Sequence, residues 1–455
     1  MLTYELKKMP GVPLYEALYR CIRADILDGN LKPGERLPSK RALASNLEVS
    51  KITVETAYSQ LLSEGYIRSR ERQGYFVESI HRPAPVPAER TAPVVPAREE
   101  PALDLTANGS ASFPFSVWSR LQRQVLLDFG EKLLLPLPNR GVPELRQAIA
   151  DHLAGFRGMT VDPGNILIGA GTDFLYNLLI QLLGRDKVYA VEEPGYGKIR
   201  RIYDAGGVAC VSAAMDSQGV VPESLGEARV LHISPSHHFP TGLVTSVSRR
   251  QELLAWAGED GWIIEDDYDS EFRFDARPKP AMFSLDRRGR VIYMNTFSKT
   301  LAPSIRISYM VLPDALMDRF QQRLGFYSCT VASFEQMTLA AFLSRGYFEK
   351  HINRMRRFYR SRRNQVIALL ENCRHREKLT ILEQDAGLHF IVKVATELDD
   401  DALTELCRRR GIRVRSLGSY YTGTVPREDR HCLVVNYSGL DDGDLEKLAK
   451  ILDTL

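Results

Sequence analysis

The sequence predicts an α/β chain in two parts. A small head of three helices and a hairpin precedes a large domain built on a mostly parallel sheet, with helices on both faces and a smaller α+β segment at its end. Three observations predict this. Helical periodicities fill most of the first eighty residues and give way to two short strand patterns around a glycine. A run of prolines then interrupts the chain. Beyond it, short apolar strands alternate with helical stretches, the pattern of a parallel sheet covered on both faces. The expected boundaries are a head at 1–80, a linker at 81–102 and a large domain at 103–455, whose smaller segment starts near 385.

Taken in order, Leu14 to Leu27 places Leu14, Leu18, Cys21, Ile22 and Ile26 at helical spacing, and Asp28-Gly29-Asn30 ends the run. Leu37-Pro38-Ser39 opens a short second helix from Lys40 to Leu47. Ser50 caps a third, Lys51 to Glu64, with Val54, Ala57, Leu61 and Leu62 expected inward and Gly65 as its stop. Ile67–Arg70 and Tyr75–Val77 read as two strands around Gln73-Gly74, which completes a winged helix-turn-helix. His81-Arg82-Pro83-Ala84-Pro85-Val86-Pro87 continues through Pro93, Pro96 and Pro101. Such a stretch favours extended polyproline II, and about twenty residues of it span roughly 60 Å. After it, Val188–Val191, Val230–Ile233, Trp262–Glu265, Val291–Asn295 and Ile307–Val311 read as buried strands, with helical patterns such as Ser248–Gly258 between several of them. Leu388–Val394, Ile412–Val414 and Leu433–Tyr437 are the strands of the smaller segment.

A chain of 455 residues, 44% hydrophobic and 26% charged, has enough apolar material for two or three domains. A net charge of +3 means that any nucleic-acid binding rests on a local surface and not on overall charge. Six scattered cysteines suggest neither a zinc site nor a disulfide framework, and reduced thiols are expected. Met1-Leu2-Thr3-Tyr4-Glu5 has no basic region followed by an apolar one, so no signal peptide is expected. The apolar patch at Phe174–Leu183 contains Asn177 and Gln181 and is too short to span a bilayer. The expected location is the cytoplasm, without a membrane partner.

A helix that enters a major groove needs exposed polar side chains, and phosphate contacts must set its register. The third helix offers Ser50, Lys51, Thr53, Thr56 and Tyr58, and its first turn presents amides suited to a phosphate. Arg36, Ser39, Lys40 and Arg41 lie before and on the second helix, while Arg70, Arg72 and Gly74 sit in the wing. Acids nearly balance bases here, so the same residues also read as solvated charge on a small helical domain. The order of motifs decides between the two. Gly34-Glu35-Arg36-Leu37-Pro38-Ser39-Lys40-Arg41-Ala42-Leu43-Ala44, Ser50-Lys51-Ile52-Thr53-Val54, Leu62-Ser63-Glu64-Gly65-Tyr66-Ile67 and Gly74-Tyr75-Phe76-Val77 follow one another. That series closely resembles the winged-helix domain of the GntR family of bacterial regulators over about residues 12–78. The resemblance implies DNA contacts from Arg36, Arg41, Ser50, Thr53 and the wing glycine.

In the large domain, Trp262-Ile263-Ile264 runs into Glu265-Asp266-Asp267-Tyr268, Tyr293-Met294-Asn295-Thr296-Phe297 runs into Ser298-Lys299, and Arg306 follows. A pyridoxal phosphate (PLP) site needs these residue types: an acid for the ring nitrogen, an amine for the aldehyde, and cations and hydroxyls for the phosphate. Asp266 is expected to keep the ring nitrogen protonated and Lys299 to form the Schiff base as a neutral, nucleophilic amine. Tyr268 would donate to the ring oxygen. Thr296, Ser298 and Arg306 would hold the phosphate, the arginine by a forked contact. Gly171 and Thr172, in Gly169-Ala170-Gly171-Thr172, open a helical run and form a second phosphate cradle. Tyr196, in Glu192-Glu193-Pro194-Gly195-Tyr196, is placed to stack on the ring. Each piece alone also has a plain reading as a surface lysine, a turn or a solvated strand end. Their joint order fits a site at the carboxyl edge of a parallel sheet.

Over about residues 103–455 this order resembles the fold type I PLP enzymes of the aspartate aminotransferase superfamily. Asp266-Asp267-Tyr268-Asp269-Ser270-Glu271-Phe272-Arg273 and Thr296-Phe297-Ser298-Lys299-Thr300-Leu301-Ala302-Pro303 carry the resemblance most sharply. With the GntR-like head, the chain looks like the MocR/GabR subfamily, in which an aminotransferase-like domain senses and the protein is a domain-swapped, head-to-tail homodimer. Three positions depart from the pattern. Ser234-Pro235-Ser236-His237-His238-Phe239-Pro240-Thr241-Gly242 stands where the enzymes have an Asn-Pro-x-Gly loop, so either His237 or His238 replaces the asparagine at the ring oxygen or that contact is lost. Val434 stands where an arginine for a substrate carboxylate is expected, with Lys198, Arg413 and Arg415 as substitutes that also read as plain surface charge. Leu135-Pro136-Leu137-Pro138-Asn139-Arg140-Gly141 lacks the tyrosine that reaches the partner subunit's phosphate.

The function expected from the sequence is therefore a PLP-dependent transcriptional regulator. It would bind double-stranded promoter DNA as a homodimer and sense an amino acid, an amine or PLP itself through the Lys299 Schiff base. Ordinary turnover is in doubt, with a residual transaminase half-reaction the most that is expected. The alternative is a working PLP-dependent aminotransferase with a DNA-binding head, and a third reading is a DNA-binding scaffold without cofactor. A two-fold dimer implies half-sites about 10 bp apart or a multiple of that, or direct repeats if the linker frees the heads.

Overall fold

The computed structural model describes residues 2–4, 6, 12–80, 103–107, 109, 113–274, 279–382 and 387–454. The proline-rich linker expected at 81–102 lies outside the described residues. The chain divides into two compact units, Met1–Arg98 and Glu99–Leu455.

In the first unit, α1 (Leu14–Asp28) buries Leu18, Tyr19, Ile22 and Ile26, residues spaced to share one helix face, and ends at Gly29, whose φ of 79° is the left-handed cap glycine adopts most cheaply. α2 (Lys40–Asn46) and α3 (Lys51–Ser63) start at Ser39 and Ser50. Their hydroxyl oxygens accept from the amides of Ala42 (3.2 Å) and Thr53 (3.1 Å). Each cap contributes about 1 kcal/mol. β1 (Ile67–Arg70) and β2 (Gly74–Val77) pair antiparallel, Ile67 opposite Val77 and Arg70 opposite Gly74. The segment before α2 lies along β2, with Leu37 donating to the Tyr75 carbonyl and Val77 to that of Glu35, both at 2.9 Å.

Two expectations for the head are corrected. Tyr58 is not on the DNA-facing side: it is 0% exposed, its hydroxyl donates to the Pro38 carbonyl at 3.0 Å, and its ring meets Tyr75 edge-on at 5.0 Å. Leu62 does not point inward but is 41% exposed. Both follow from helical spacing, because Val54, Ala57, Tyr58 and Leu61 form the i, i+3, i+4, i+7 face of α3.

The second unit opens with β3 (Leu103–Asp104), α4 (Phe115–Phe129) and α5 (Pro143–Arg157). It continues as β4 (Ile166–Gly169), α6 (Thr172–Leu183), β5 (Tyr189–Glu193), α7 (Gly197–Ala205), β6 (Cys210–Asp216), β7 (Gly219–Val220) and β8 (Val230–Ile233). Then come α8 (Val247–Ala257), β9 (Trp262–Asp266), α9 (Met282–Leu285), β10 (Val291–Thr296), α10 (Phe297–Thr300), β11 (Ser308–Val311), α11 (Asp314–Leu324), α12 (Ser333–Ser344) and α13 (Tyr347–Asn372). The strands β4 to β11 form one sheet in the order β4-β11-β10-β9-β8-β5-β6-β7. The run from β10 through β9, β8 and β5 to β6 is parallel. β11 is antiparallel to both its neighbours, and β7 to β6. Along β10, Ile292 and Met294 pack into one core and Tyr293 into another across the sheet, the period of two that puts helices on both faces.

The smaller segment holds β12 (Leu379–Leu382), β13 (His389–Val394), α14 (Asp400–Arg409), β14 (Ile412–Arg413), β15 (Arg415–Ser416), β16 (Cys432–Asn436) and α15 (Asp442–Thr454). Its sheet order is β12-β13-β16-β15. It thus begins by Leu379, earlier than the boundary near 385 expected from the sequence. The single strand expected at Ile412–Val414 is divided. β14 pairs with β3 and β15 with β16, so Val414 marks a change of partner. No helix among the described residues is long and apolar enough to cross a membrane.

The core placement of Tyr58 yields a test. Tyr58→Phe is expected to cost about 1 kcal/mol, one hydrogen bond, and to leave DNA affinity unchanged. Tyr58→Ala is expected to cost about 3–5 kcal/mol in denaturant unfolding of the head. A DNA-binding loss in Tyr58→Phe without loss of stability would contradict the placement.

Candidate functional site

The parallel strands deliver several side chains to one edge. A cavity of about 360 Å³ is lined there by Glu192 from the end of β5, Ser234 just after β8, Asp266 from the end of β9 and Thr296 from the end of β10. Ser298 and Lys299 on α10, Tyr268, Asp269, Tyr196, Arg306, Thr172 and Asp173 complete its wall on the large-sheet side. The small segment contributes Leu388, His389, Arg415, Tyr420, Val434 and Asn436.

Asp266 is held from behind. Its Oδ2 accepts from the Tyr176 hydroxyl and lies 3.6 Å from His232 Nε2, while His232 Nδ1 meets the Tyr203 hydroxyl at 2.6 Å. Its Oδ1 is buried and has no hydrogen-bond partner among the described residues. Lys299 is half-buried. Desolvation presses its amine below the ordinary lysine value, opposed by the charges of Asp269 and Asp266. Burial, then the carboxylates of Asp269 and Asp266, holds the Tyr268 phenol protonated.

The two histidines separate. His237 Nδ1 lies 2.9 Å from Asp269 Oδ2 and 3.3 Å from the Tyr268 hydroxyl. The shorter contact takes the Nδ1 proton, so Tyr268 keeps its own for an oxygen in the cavity. The ring packs so closely on Gly387 that a Cβ there would come 1.7 Å from Cε1. His238 turns away, its Nδ1 2.7 Å from the Thr241 hydroxyl and its Nε2 3.6 Å from Glu192. Burial pushes it down to about 3, with His237 adding, so it is neutral. Neither imidazole lines the cavity, which agrees with the second alternative, a lost asparagine contact, and not with a direct histidine substitute. His237 reaches the wall only through Tyr268 and Asp269. Glu192 accepts from the Ser234 amide at 2.9 Å. Burial nevertheless pushes its carboxyl up to about 8, with Asp266 adding.

At the other end, Arg306 Nη2 lies 3.1 Å from Asp173 Oδ2, and Lys198 Nζ 2.7 Å from the same oxygen. Gly171 has a φ of +91°, and a Cβ there would come 2.3 Å from Arg306 Nη2. Only glycine lets the guanidinium reach the first turn of α6, whose free amides start at Thr172. Ser298 Oγ donates to the Ile305 carbonyl at 2.7 Å, and the Thr296 hydroxyl accepts from the Ser298 amide at 3.2 Å and from Ser308 Oγ at 2.8 Å. Two cations, a helix start and two hydroxyls thus meet where an oxyanion would be held. Tyr196 is half-exposed at the opening, edge-on to Phe239 at 5.9 Å.

Of the three cations considered for a carboxylate, Lys198 is taken by Asp173, Arg413 pairs with Asp104 at 3.4 Å off the wall, and Arg415 lines the cavity. Sequence reasoning missed Tyr176, His232 and Asp269. The first two sit at positions of α6 and β8 that spacing cannot tell from core, and Asp269 stood inside the Asp266–Arg273 motif without a role of its own.

In the head, Arg36, Ser39, Arg41, Ser50, Lys51 and Arg72 are exposed, and Thr53, Thr56 and Gly74 half-buried. Lys40 is tied to Glu55 at 2.6 Å and lies over the Tyr75 ring, so it is not a spare cation. Gly74 has a φ of +109°, with the Arg36 guanidinium 3.5 Å from where its Cβ would be. Ile52 was not anticipated. It is 73% exposed beside Lys51 and offers an apolar contact of the kind that reads a thymine methyl.

Residues 101–452 match the family model "Aminotransferase class I and II", and residues 14–77 match "Bacterial regulatory proteins, gntR family". The chain is 34% identical to an uncharacterized HTH-type transcriptional regulator, YdeL, of Bacillus subtilis, over 99% of this chain and 98% of the relative. It is 34% identical to the probable rhizopine catabolism regulatory protein MocR of Rhizobium meliloti, over 96% and 92%. Among solved structures it is similar in fold to a kynurenine aminotransferase of Pyrococcus horikoshii, with a TM-score of 0.68 at 24% identity, over 77% of this chain and 90% of that one.

Glu192 provides a pH test. Folded, it holds a proton up to about 8 that the unfolded chain releases in the ordinary carboxylate range. Its contribution to stability is complete below that range and is lost as pH rises toward 8. The melting temperature of cofactor-free protein should therefore fall more between pH 6 and 9 for the unsubstituted chain than for Glu192→Gln. Equal falls would contradict a protonated Glu192.

Proposed function

The chain belongs to the MocR/GabR subfamily of GntR-type regulators, a winged-helix head joined to an aminotransferase class I and II domain, and from that membership we propose that it is a PLP-dependent transcriptional regulator that senses a small amine-bearing effector. The observation that carries the reading is the convergence of Lys299 and the open oxygen of Asp266 on one cavity.

The residues present fit the cofactor. A buried, unpartnered acceptor at Asp266, a glycine cradle occupied by the Arg306 guanidinium and a desolvated lysine are what it requires. Asp266 would hold the ring nitrogen, Tyr268 the ring oxygen, Tyr196 the ring face, and Thr172, Ser298 and Arg306 the phosphate, with Lys299 as the point of attachment. When bound, the cofactor supplies an aldehyde that captures amines and a ring that withdraws electrons. Tyr176 and His232 fix the carboxylate's orientation from behind.

Sensing requires two arrangements that bind the effector unequally. The small segment is latched to the large sheet at the opening. Glu193 Oε1 accepts from the amides of Thr422 (2.6 Å) and Gly423 (3.1 Å), and Gly195 donates to the Tyr420 carbonyl at 3.1 Å. Burial would raise the Glu193 carboxyl, but hydrogen bonds from the Thr422 and Ser212 hydroxyls and from the Thr422 and Gly423 amides together hold it below its ordinary value. An effector in the cavity touches both walls and would favour one setting of this latch. In this reading the protein acts in the cytoplasm as a domain-swapped homodimer on promoter DNA, through Arg36, Arg41, Ser50, Lys51, Thr53 and the wing.

Titration with PLP should give a bound-cofactor absorption band in the unsubstituted chain and none in Lys299→Ala. Operator affinity should differ between cofactor-free, cofactor-loaded and effector-treated protein by about 5-fold or more. Identical affinities in all three would defeat the sensing claim, and many cycles of transamination would favour the enzyme reading instead. On the DNA side, Arg41→Ala and Lys51→Ala should each weaken binding across sequences and reduce the salt slope by about one. An unchanged slope would contradict phosphate contacts at those residues.

A further inference from the structure

The sheet of the small segment has two faces, and β16 serves both. Val434 and Asn436 line the cavity that holds Lys299, while Leu433 and Val435 alternate with them and face the other way. There they enter a second cavity of about 350 Å³, which α14, α15 and the end of α13 close from behind. α14 and its C-cap present Leu403, Leu406, Cys407 and Arg410, the i, i+3, i+4, i+7 positions of one helix face. α15 adds Leu448 and Leu452, about one turn apart. The floor, with Leu403, Leu433, Val435 and Leu448, is buried. Leu398, Lys378 and Arg410 are exposed and mark the mouth. Among the described residues no acid lines this cavity, and no phenyl, phenol or indole ring does. Its polar residues are the Thr396 hydroxyl, the thiols of Cys373 and Cys407, and three bases, His375, Lys378 and Arg410. Glu377 faces His375 at 3.7 Å, and Glu405 is taken by Arg408 and Arg409 at 2.7 and 3.0 Å. Lys378 and Arg410 are therefore the cations of the mouth.

We propose that this cavity is a second ligand site and that it takes an aliphatic carboxylate, with an unbranched alkyl chain among the leucines and valines and the anionic end between Lys378 and Arg410. The inference goes beyond the regulator reading and does not depend on it. The size and the mostly apolar lining with a few polar groups at one end are those of a small-molecule site. The character of the lining selects the ligand. Aliphatic walls reward an alkyl chain for every methylene they cover and offer no ring face on which a flat aromatic ligand could stack. A mouth with bases and no acid favours an anionic end over a cationic one. A small polar anion without a chain would meet the two cations but leave the walls uncovered.

The test titrates full-length protein by calorimetry with hexanoate, octanoate and decanoate, and with octan-1-ol as the uncharged counterpart of octanoate. Affinity is expected to rise about tenfold for each two methylenes added, the gain from moving them out of water onto apolar walls. Octanoate is expected to bind about threefold tighter than octanol, a modest advantage because both cations are exposed. Lys378→Ala combined with Arg410→Ala should remove that advantage and leave octanol binding as it was. The position of the ligand is read without any substitution. Cys373 and Cys407 are half-buried on this wall, and no cysteine lines the cavity that holds Lys299. Decanoate should therefore protect these two thiols from N-ethylmaleimide, mapped by mass spectrometry, and leave Cys210 and Cys329 as reactive as before. Three results would overturn the proposal: no binding at any chain length, an affinity that does not grow with length, or protection no greater at Cys373 and Cys407 than at Cys210 and Cys329. An advantage of octanoate over octanol that survives the double substitution would overturn the placement of the carboxylate.

Discussion

A buried carboxylate oxygen without a partner costs about 1–3 kcal/mol or more, and Asp266 carries one. The rest of the large domain is arranged around that oxygen. The strand order puts β9 in the middle of the sheet, so its last residue emerges among β8, β10 and the loops that follow them. Tyr176 and His232 hold one oxygen and leave the other toward the cavity. A ligand with a protonated nitrogen would relieve the cost, which is how a site of this kind stabilises its own occupied form.

Three acids stand in a row at the end of β9, and strand alternation separates them. Glu265 is met by the amides of Met282 and Phe283 at 2.9 Å and by Arg250 at 3.8 Å. Asp267 is met by the Tyr293 hydroxyl at 2.6 Å and by Arg157 at 3.2 Å. Both arginines are buried, and each would be strongly destabilising if left without its acid. Asp267 also keeps one buried oxygen without a partner among the described residues, and what sets Asp266 apart is that of the three it alone lines the cavity. A Glu-Asp-Asp run that looks like a solvated strand end is, in the fold, one carboxylate on the cavity wall flanked by two paired with buried arginines.

Much of this was legible in the sequence. β5, β8, β9 and β10 announce themselves as apolar runs because both their faces are buried. β4 is four residues long, and β6 alternates between buried and exposed positions like a loop edge, so neither stood out. The break at Val414 was invisible because a change of strand partner leaves no mark in composition. Lys299, Asp266, Tyr268, Arg306, Thr172, Ser298 and Tyr196 come together on one wall, as motif order suggested they would. Tyr58 was misplaced because an aromatic on a short amphipathic helix reads equally as core or as contact. Tyr176 and His232 were harder. Each lies far from Asp266 and Lys299 in the chain, and only the fold brings Tyr176 to the cavity wall and His232 behind Asp266.

The account depends on the amine of Lys299 being the group that captures an aldehyde in this cavity. The most direct measurement is to expose the purified chain to PLP, reduce it with borohydride and map the modified peptides by mass spectrometry. The account predicts one added cofactor mass per chain, carried by the peptide that contains Lys299. A chain that takes up no such mass, or takes it up equally at many surface lysines, would contradict it.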